Sequence, residues 1–199
     1  MIAFSPRKLM HLIASLVMPL AFLSAAVAAG PKIEIDSTVK AVVKILANPA
    51  LKRDESERRE LLRKAIAPRF DFRQMAKRSL GPYWRRQTAE QQDKFVRIFT
   101  DLLEKAYLAR IESYHRDKII YRGERLSGDY AEVDSKIITP RGREYSLDYL
   151  MYRTGNDWKI YDVVVENVSL VNNYRSQFDD VIDRYSYQEL VRRMEQKLS

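Results

Sequence analysis

From Ile35 to about Tyr114 the apolar residues recur every three to four positions, the spacing of helices that turn one face to a core. Ile35, Val39, Val42, Val43 and Leu46 form one such face, which stops before Asn48-Pro49. A second helix is predicted to open at Asp54, with Glu57 three residues on, and to bury Leu61, Leu62, Ala65 and Ile66 before Pro68 ends it. A short third begins near Asp71, carries Phe72, Met75 and Ala76, and stops at Gly81-Pro82. Thr88-Ala-Glu-Gln91 is a capping box, in which the threonine hydroxyl and the glutamine side chain satisfy free backbone N–H groups. The helix behind it runs to about Tyr114, about 39 Å at 1.5 Å per residue. Phe95, Ile98, Phe99, Leu102, Leu103, Ala106 and Tyr107 cover about half of its circumference. A surface helix needs an apolar stripe of only about 100°, so this one is packed on a broad front.

Near residue 117 the period falls to two. Segments 119–125, 130–139, 143–154 and 158–165 are rich in β-branched and aromatic residues. Ser127-Gly-Asp129, Pro140-Arg-Gly142 and Gly155-Asn-Asp157 separate them as short turns, which force neighbouring strands to run antiparallel. Helical spacing then returns: Val168, Val171, Tyr174, Phe178 and Val181 share a face, and Ser186-Tyr-Gln-Glu189 reads as a second capping box before Leu190, Val191 and Met194. Helices, a meander and helices again make an α+β fold. It is expected to be a four-stranded antiparallel sheet with N-terminal helices and the long central helix packed on it, followed by C-terminal helices.

The first residues follow a different logic. Arg7 and Lys8 precede an apolar run, Leu9 to Leu23, and the small residues Ser24 to Ala29 follow. This is the order of a secretory signal peptide, with cleavage expected after Ala28. The run is shorter than the roughly 20 residues of a spanning helix and contains Pro19. A chain without cysteine excludes a lipoprotein anchor and any disulfide. Residues 29–199 are then one exported domain. The formal charge of +8 becomes +6 once Arg7 and Lys8 leave, which favours anionic head groups or acidic partners. With 27 acids interleaved among 35 bases and no nucleic-acid motif, nucleic acid is not an expected partner.

Little in the chain supports catalysis. His115 is the only histidine after the leader, so neither a zinc ligand set nor a Ser-His-acid site is well supplied; near a helix end it reads as a cap. Asp162 stands in the apolar strand Trp158 to Val165. A closed apolar pocket would make it a general base with a raised pKa. Strict alternation instead puts Tyr161, Val163 and Val165 on one face and Trp158, Ile160, Asp162 and Val164 on the other, with Asp162 expected to pair with an Arg or Lys. The apolar and aromatic excess suits either a filled core or a hollow one, and periodicity does not separate them.

The segment Trp158-Lys-Ile-Tyr-Asp-Val-Val-Val-Glu-Asn-Val-Ser-Leu-Val-Asn-Asn-Tyr-Arg-Ser-Gln-Phe178 resembles the hallmark of the MlaC family, also called toluene-tolerance auxiliary proteins. Ala76-Lys-Arg-Ser-Leu-Gly-Pro-Tyr-Trp-Arg85, Thr88 to Gln91, Phe95 and the run to Leu103 are similar as well. Asn167 stands where the family pattern most often has glycine, and Asn173 beside Asn172 is a local variation. These are periplasmic phospholipid-binding components of a lipid-trafficking ABC transport system.

The resemblance implies a cavity between sheet and helices that holds acyl tails while the head group stays at the mouth. At about 0.8 kcal/mol per CH₂, a 16-carbon tail gains on the order of 12 kcal/mol by leaving water, so tails and not head groups must dominate affinity. It also implies a non-enzymatic carrier with phospholipid as cargo and no cofactor or metal. Its expected partners are membrane-anchored components of an inner-membrane ABC lipid transporter and an outer-membrane lipoprotein complex. No nucleotide-binding loop is present, so transfer at the carrier is passive. Phe95, Phe99, Leu102, Leu103 and Tyr107 are expected to form one wall and Tyr149, Met151, Val163 and Val165 another, closed by Phe72, Met75, Val168 and Tyr174. Tyr83, Trp84, Arg85 and Arg86 are expected at the rim. Two other classes stay open: a lipid-free adaptor that docks a transporter, and a small-molecule enzyme using Asp162 and a tyrosine.

Overall fold

The structure, a computed structural model, describes residues 29–113 and 117–199. The expected leader, residues 1–28, and His115 lie outside the described residues. Helices α1 (Pro31–Ala47), α2 (Glu55–Ile66), α3 (Phe72–Leu80) and α4 (Ala89–Ser113) precede strands β1 (Lys118–Ser127), β2 (Tyr130–Ile138), β3 (Glu144–Thr154), β4 (Asp157–Val165) and β5 (Val168–Ser169). Helices α5 (Leu170–Arg184) and α6 (Tyr187–Leu198) end the chain.

The helix starts follow from capping. Asp54 and Asp71 each accept the N–H three residues on, from Glu57 and Gln74, both at 2.9 Å. The Thr88 box closes both ways: the Gln91 N–H donates to Thr88 Oγ1 at 3.2 Å, and the Thr88 N–H donates to Gln91 Oε1 at 2.9 Å. The second box closes only once. Ser186 accepts the Glu189 N–H at 3.1 Å, but the Glu189 carboxylate turns away to Arg192 and Arg193.

The sheet is an antiparallel meander in the order β1-β2-β3-β4-β5. Its fifth strand is the difference from the sequence reading. Glu166 and Asn167 both take positive φ, 50° and 64°, which folds Val168 and Ser169 back onto Val165 and Val164 before α5 begins. Asn tolerates this left-handed backbone better than most residues, which explains how it replaces glycine there. The register shifts at Tyr161, so Leu150 faces Asp162 and Met151 faces Ile160. That bulge breaks the expected alternation. Trp158, Ile160 and Val163 consequently share one core with Tyr149 and Met151, while Tyr161 packs edge-on to Tyr130.

A second difference concerns α4. Its chief partners are α3 and α6, while α1 lies on β1 and β2, and α3 and α5 meet β4. The broad apolar face of α4 is used largely by other helices.

Candidate functional site

The buried apolar residues fall into three cores among the described residues, the third a small satellite of three leucines. The helical core joins α3 to α6 and includes Met75, Trp84, Phe95, Phe99, Leu102, Leu103 and Phe178. The sheet core joins Ala131, Val133, Tyr149, Met151, Trp158 and Ile160 to Ile35 of α1. The third joins Leu46, Leu62 and Leu108 of α1, α2 and α4.

These cores are linked in pairs. Helix α1 serves the sheet core and the third, α4 serves the third and the helical core, and Phe70 packs against both the helical and sheet cores. Phe70 is fixed by the backbone: the Asp71 N–H donates to the Ile160 carbonyl at 2.9 Å, seating this segment on the free edge of β4. Around the junction the apolar side chains are only half-buried. They are Val39, Tyr121, Leu147 and Val163 beside the sheet core, Val42 and Ile66 beside the third, and Phe72, Tyr107 and Tyr174 beside the helical core. This seam between cores is the candidate site.

The expected wall residues divide accordingly. Phe95 and Phe99 expose no surface, and Met75 exposes 1%. Phe95, Phe99, Tyr174 and Phe178 interlock with ring centroids 5.4–6.0 Å apart, stacked, tilted or edge-on. Leu102 and Leu103 belong to the same core. Tyr149 and Met151 lie in the sheet core with Val163 at its margin. Val165 and Val168 stand apart, 43% and 57% exposed where β4 turns into β5. Phe70, Val39, Val42, Ile66, Tyr121 and Leu147, absent from the expected site, are the residues that the seam adds. The spacing of Ile35, Val39 and Val42 marks that face of α1; nothing local marks Phe70.

The polar groups here are neutral. Burial, with the Tyr107 hydroxyl beside it, pushes Tyr174 up to about 12; burial raises Tyr107 as well. Both remain phenols at any physiological pH, so the seam's margin carries hydroxyls and no charge from this pair.

The four expected rim residues form the 3-10 turn between α3 and α4. Trp84 is buried in the helical core with the Arg73 guanidinium 5.5 Å over its ring. The Tyr83 hydroxyl donates to the Asp183 carboxylate, and Arg86 lies 5.3 Å over the Tyr83 ring. Arg85 is exposed.

Asp162 does not pair with an Arg or Lys. It is buried at the start of α5, where Oδ1 accepts the Val163 and Val171 N–H groups at 2.8 and 3.0 Å and Oδ2 accepts the Ser169 hydroxyl at 2.5 Å. The helix supplies free N–H groups where a strand carboxylate arrives, which removes the need for a cation. A carboxylate so occupied holds the β4–α5 corner.

Two hollows open on the surface, about 370 Å³ at Glu55, Ser56, Arg59 and Arg63 and about 230 Å³ between Gln91, Tyr187 and Val191. Neither is lined by a residue of the expected site. Among the described residues no cluster of His, Asp or Glu could hold a metal ion, and no helix is long and apolar enough to cross a membrane.

Comparison with known proteins bears on this geometry. The intermembrane phospholipid transport system binding protein MlaC of Haemophilus influenzae is 27% identical over 154 residues, covering 75% of this chain and 72% of that protein. The toluene tolerance protein ttg2D of Pseudomonas putida is 27% identical over 103 residues, about half of each chain. The phospholipid-binding protein of Ralstonia solanacearum, solved in complex with a phospholipid, superposes with a TM-score of 0.77 at 26% identity, over 85% of this chain and 97% of that one. Residues 36–196 match the sequence profile of the family described as MlaC protein, and the chain belongs to that family.

Proposed function

We propose that this chain is a periplasmic phospholipid carrier that takes acyl tails into the seam between its three cores and moves lipid between membranes. The observation that carries the reading is the fold itself, shared nearly end to end with a protein solved with a phospholipid bound. In this reading residues 1–28 are removed on export and residues 29–199 are the lipid-binding domain.

Tails meet the half-buried side chains: Phe70, Phe72, Tyr107 and Tyr174 on the helical side, and Val39, Leu147 and Val163 on the sheet side. Met75, Phe95, Phe99, Leu102, Leu103 and Met151, already enclosed, back that lining and keep its shape. Tails enter by parting contacts between cores, because separating two margins costs less than opening a stacked aromatic core. The head group stays in water at the mouth of the seam. The partners are the membrane-anchored components of a lipid transporter, which load and unload the carrier without chemistry at this chain.

Native mass spectrometry of the protein from a periplasmic extract, followed by lipid analysis, tests this. A bound species of phospholipid mass is expected. A clean apo mass that persists after incubation with phospholipid vesicles would leave the docking adaptor as the better account.

A further inference from the structure

Four buried side-chain polar atoms have no hydrogen-bond partner among the described residues: Arg69 Nε, Ser79 Oγ, Tyr121 Oη and Asp179 Oδ1. Three have ordinary explanations. Arg69 uses its other nitrogens on Asp157, the Trp158 carbonyl and Glu34. The second carboxylate oxygen of Asp179 faces Arg175 at 3.8 Å. Ser79 sits inside α3, where its hydroxyl needs only a rotation to reach a carbonyl of the preceding turn. Tyr121 has no such remedy. A phenol reaches beyond its own backbone, so its partner must come from elsewhere.

The position of that hydroxyl is specific. Tyr121 stands on β1 opposite Ser135, just before the register shift at Arg122, and packs at the margin of the sheet core beside Leu147 and Val163. The residue as a whole is half-buried while its oxygen is wholly buried, so the hydroxyl is the inward end. Two neighbouring polar side chains have partners of their own. The Ser135 hydroxyl donates to the Leu147 carbonyl, and Asp36 on α1 is paired with Lys40 at 2.6 Å. Burial, with the Asp36 charge nearby, raises the Tyr121 phenol to about 12, so it is held as a neutral donor.

We propose that the Tyr121 hydroxyl donates a hydrogen bond to an ester carbonyl of a bound acyl-glycerol lipid and so fixes how deeply the tails sit between α1 and the sheet. This rests on the carrier reading above. A neutral acceptor suits this place: a phosphate would have to leave water to reach a wholly buried hydroxyl, while an ester carbonyl carries no charge and lies where the tails begin. An unsatisfied buried donor costs free energy in the empty protein that the carbonyl recovers on loading. The same donor leaves the head group unread.

The test presents delipidated protein with vesicles containing equal amounts of diacyl and dialkyl phosphatidylethanolamine of matched chain length. Bound lipid is then read by mass spectrometry. The wild type is expected to take the ester over the ether by about 5–10-fold, the worth of one net hydrogen bond. Tyr121→Phe is expected to take both equally and to melt, when empty, no lower than the wild type. Equal uptake by the wild type, or an ester preference that survives in Tyr121→Phe, overturns the proposal and leaves carriage intact. A lower melting temperature in Tyr121→Phe also overturns it, because the hydroxyl would then have a partner inside the protein. Uptake of neither lipid by either protein sinks the carrier reading and this inference with it.

Discussion

Phe95 and Phe99 of the helical core are sealed by Tyr174 and Phe178, ring against ring, with no exposed surface. The sheet core is thinner. Ala131, Val133, Met151 and Ile160 share it with Ile35 of α1, and Val39, Leu147 and Val163 remain half-buried at its margin. Polar ties hold the start of α1: the Lys32 N–H donates to Glu124 at 2.7 Å, and Arg69 joins Glu34 to Asp157 and the Trp158 carbonyl. One region is a finished aromatic packing and the other a surface closed by a helix. A guest enters a protein where contacts are fewest, so the sheet and α1 are the yielding side and the helical core the fixed one.

The largest expected effect breaks the fixed side. Phe99→Ala removes a wholly enclosed ring from an interlocked set and should cost about 3–5 kcal/mol, read from urea unfolding. Lipid retained per folded molecule should stay close to wild type. The reverse result, a small stability loss with emptied protein, would make α4 the lining itself and reverse the comparison.

Asp162→Ala comes next, at about 2–4 kcal/mol by the same measurement, since it strands the Val171 N–H and the Ser169 hydroxyl in a buried corner. Asp162→Asn keeps a carbonyl acceptor and should recover part of the loss. A pair of variants with wild-type midpoints would show that α5 is positioned by its apolar face alone.

How much of this was legible in the sequence depends on how local each determinant is. Thr88 and Gln91 satisfy each other within one turn, and the turn residues of the hairpins act over two or three positions, so these elements and the α+β class could be read directly. The bulge at Tyr161 lies in the pairing with β3, and strict alternation therefore put Trp158 and Ile160 on the wrong side of Val163. Glu189 had two arginines within reach on its own helix and took them in place of the Ser186 N–H. For the candidate site, periodicity marked which face of α4 is apolar but not what meets that face. Phe99 was therefore read as lining, although it is sealed inside the helical core, whereas Val163 stands half-buried at the margin of the sheet core. Phe70 was missed as a link because a backbone bond to Ile160, 90 residues downstream, puts it there.

On the yielding side, Val163→Trp sharpens the contrast. Extra volume at a half-buried margin should cost only about 1–3 kcal/mol, yet it fills space that tails need. Phospholipid recovered with the purified protein should fall severalfold. Undiminished lipid with a stable fold would move the acyl site away from β4.

The smallest effect belongs to the surface of the helical side, and it depends on pH. Hydrogen bonds from Arg192 and then Arg193 hold the Glu189 carboxylate down at about 2, against 4.5 for the free side chain. A carboxylate whose folded value is depressed contributes stability above the unfolded value and loses it as pH falls through the folded one. The contribution of Glu189 is therefore intact above about pH 4.5 and fades towards pH 2. The protection of α6 amides against exchange, taken relative to the intrinsic rate at each pH, should fall over that window in the wild type, and less so in Glu189→Gln, which begins without the charge. Since α6 packs on the helical core and not on the sheet, the amides of α1 should show no difference between the two proteins in response to this substitution. Matching acid responses of α6 in both would mean that the two arginines hold Glu189 without adding to the stability of the helix, as exposed ion pairs often do.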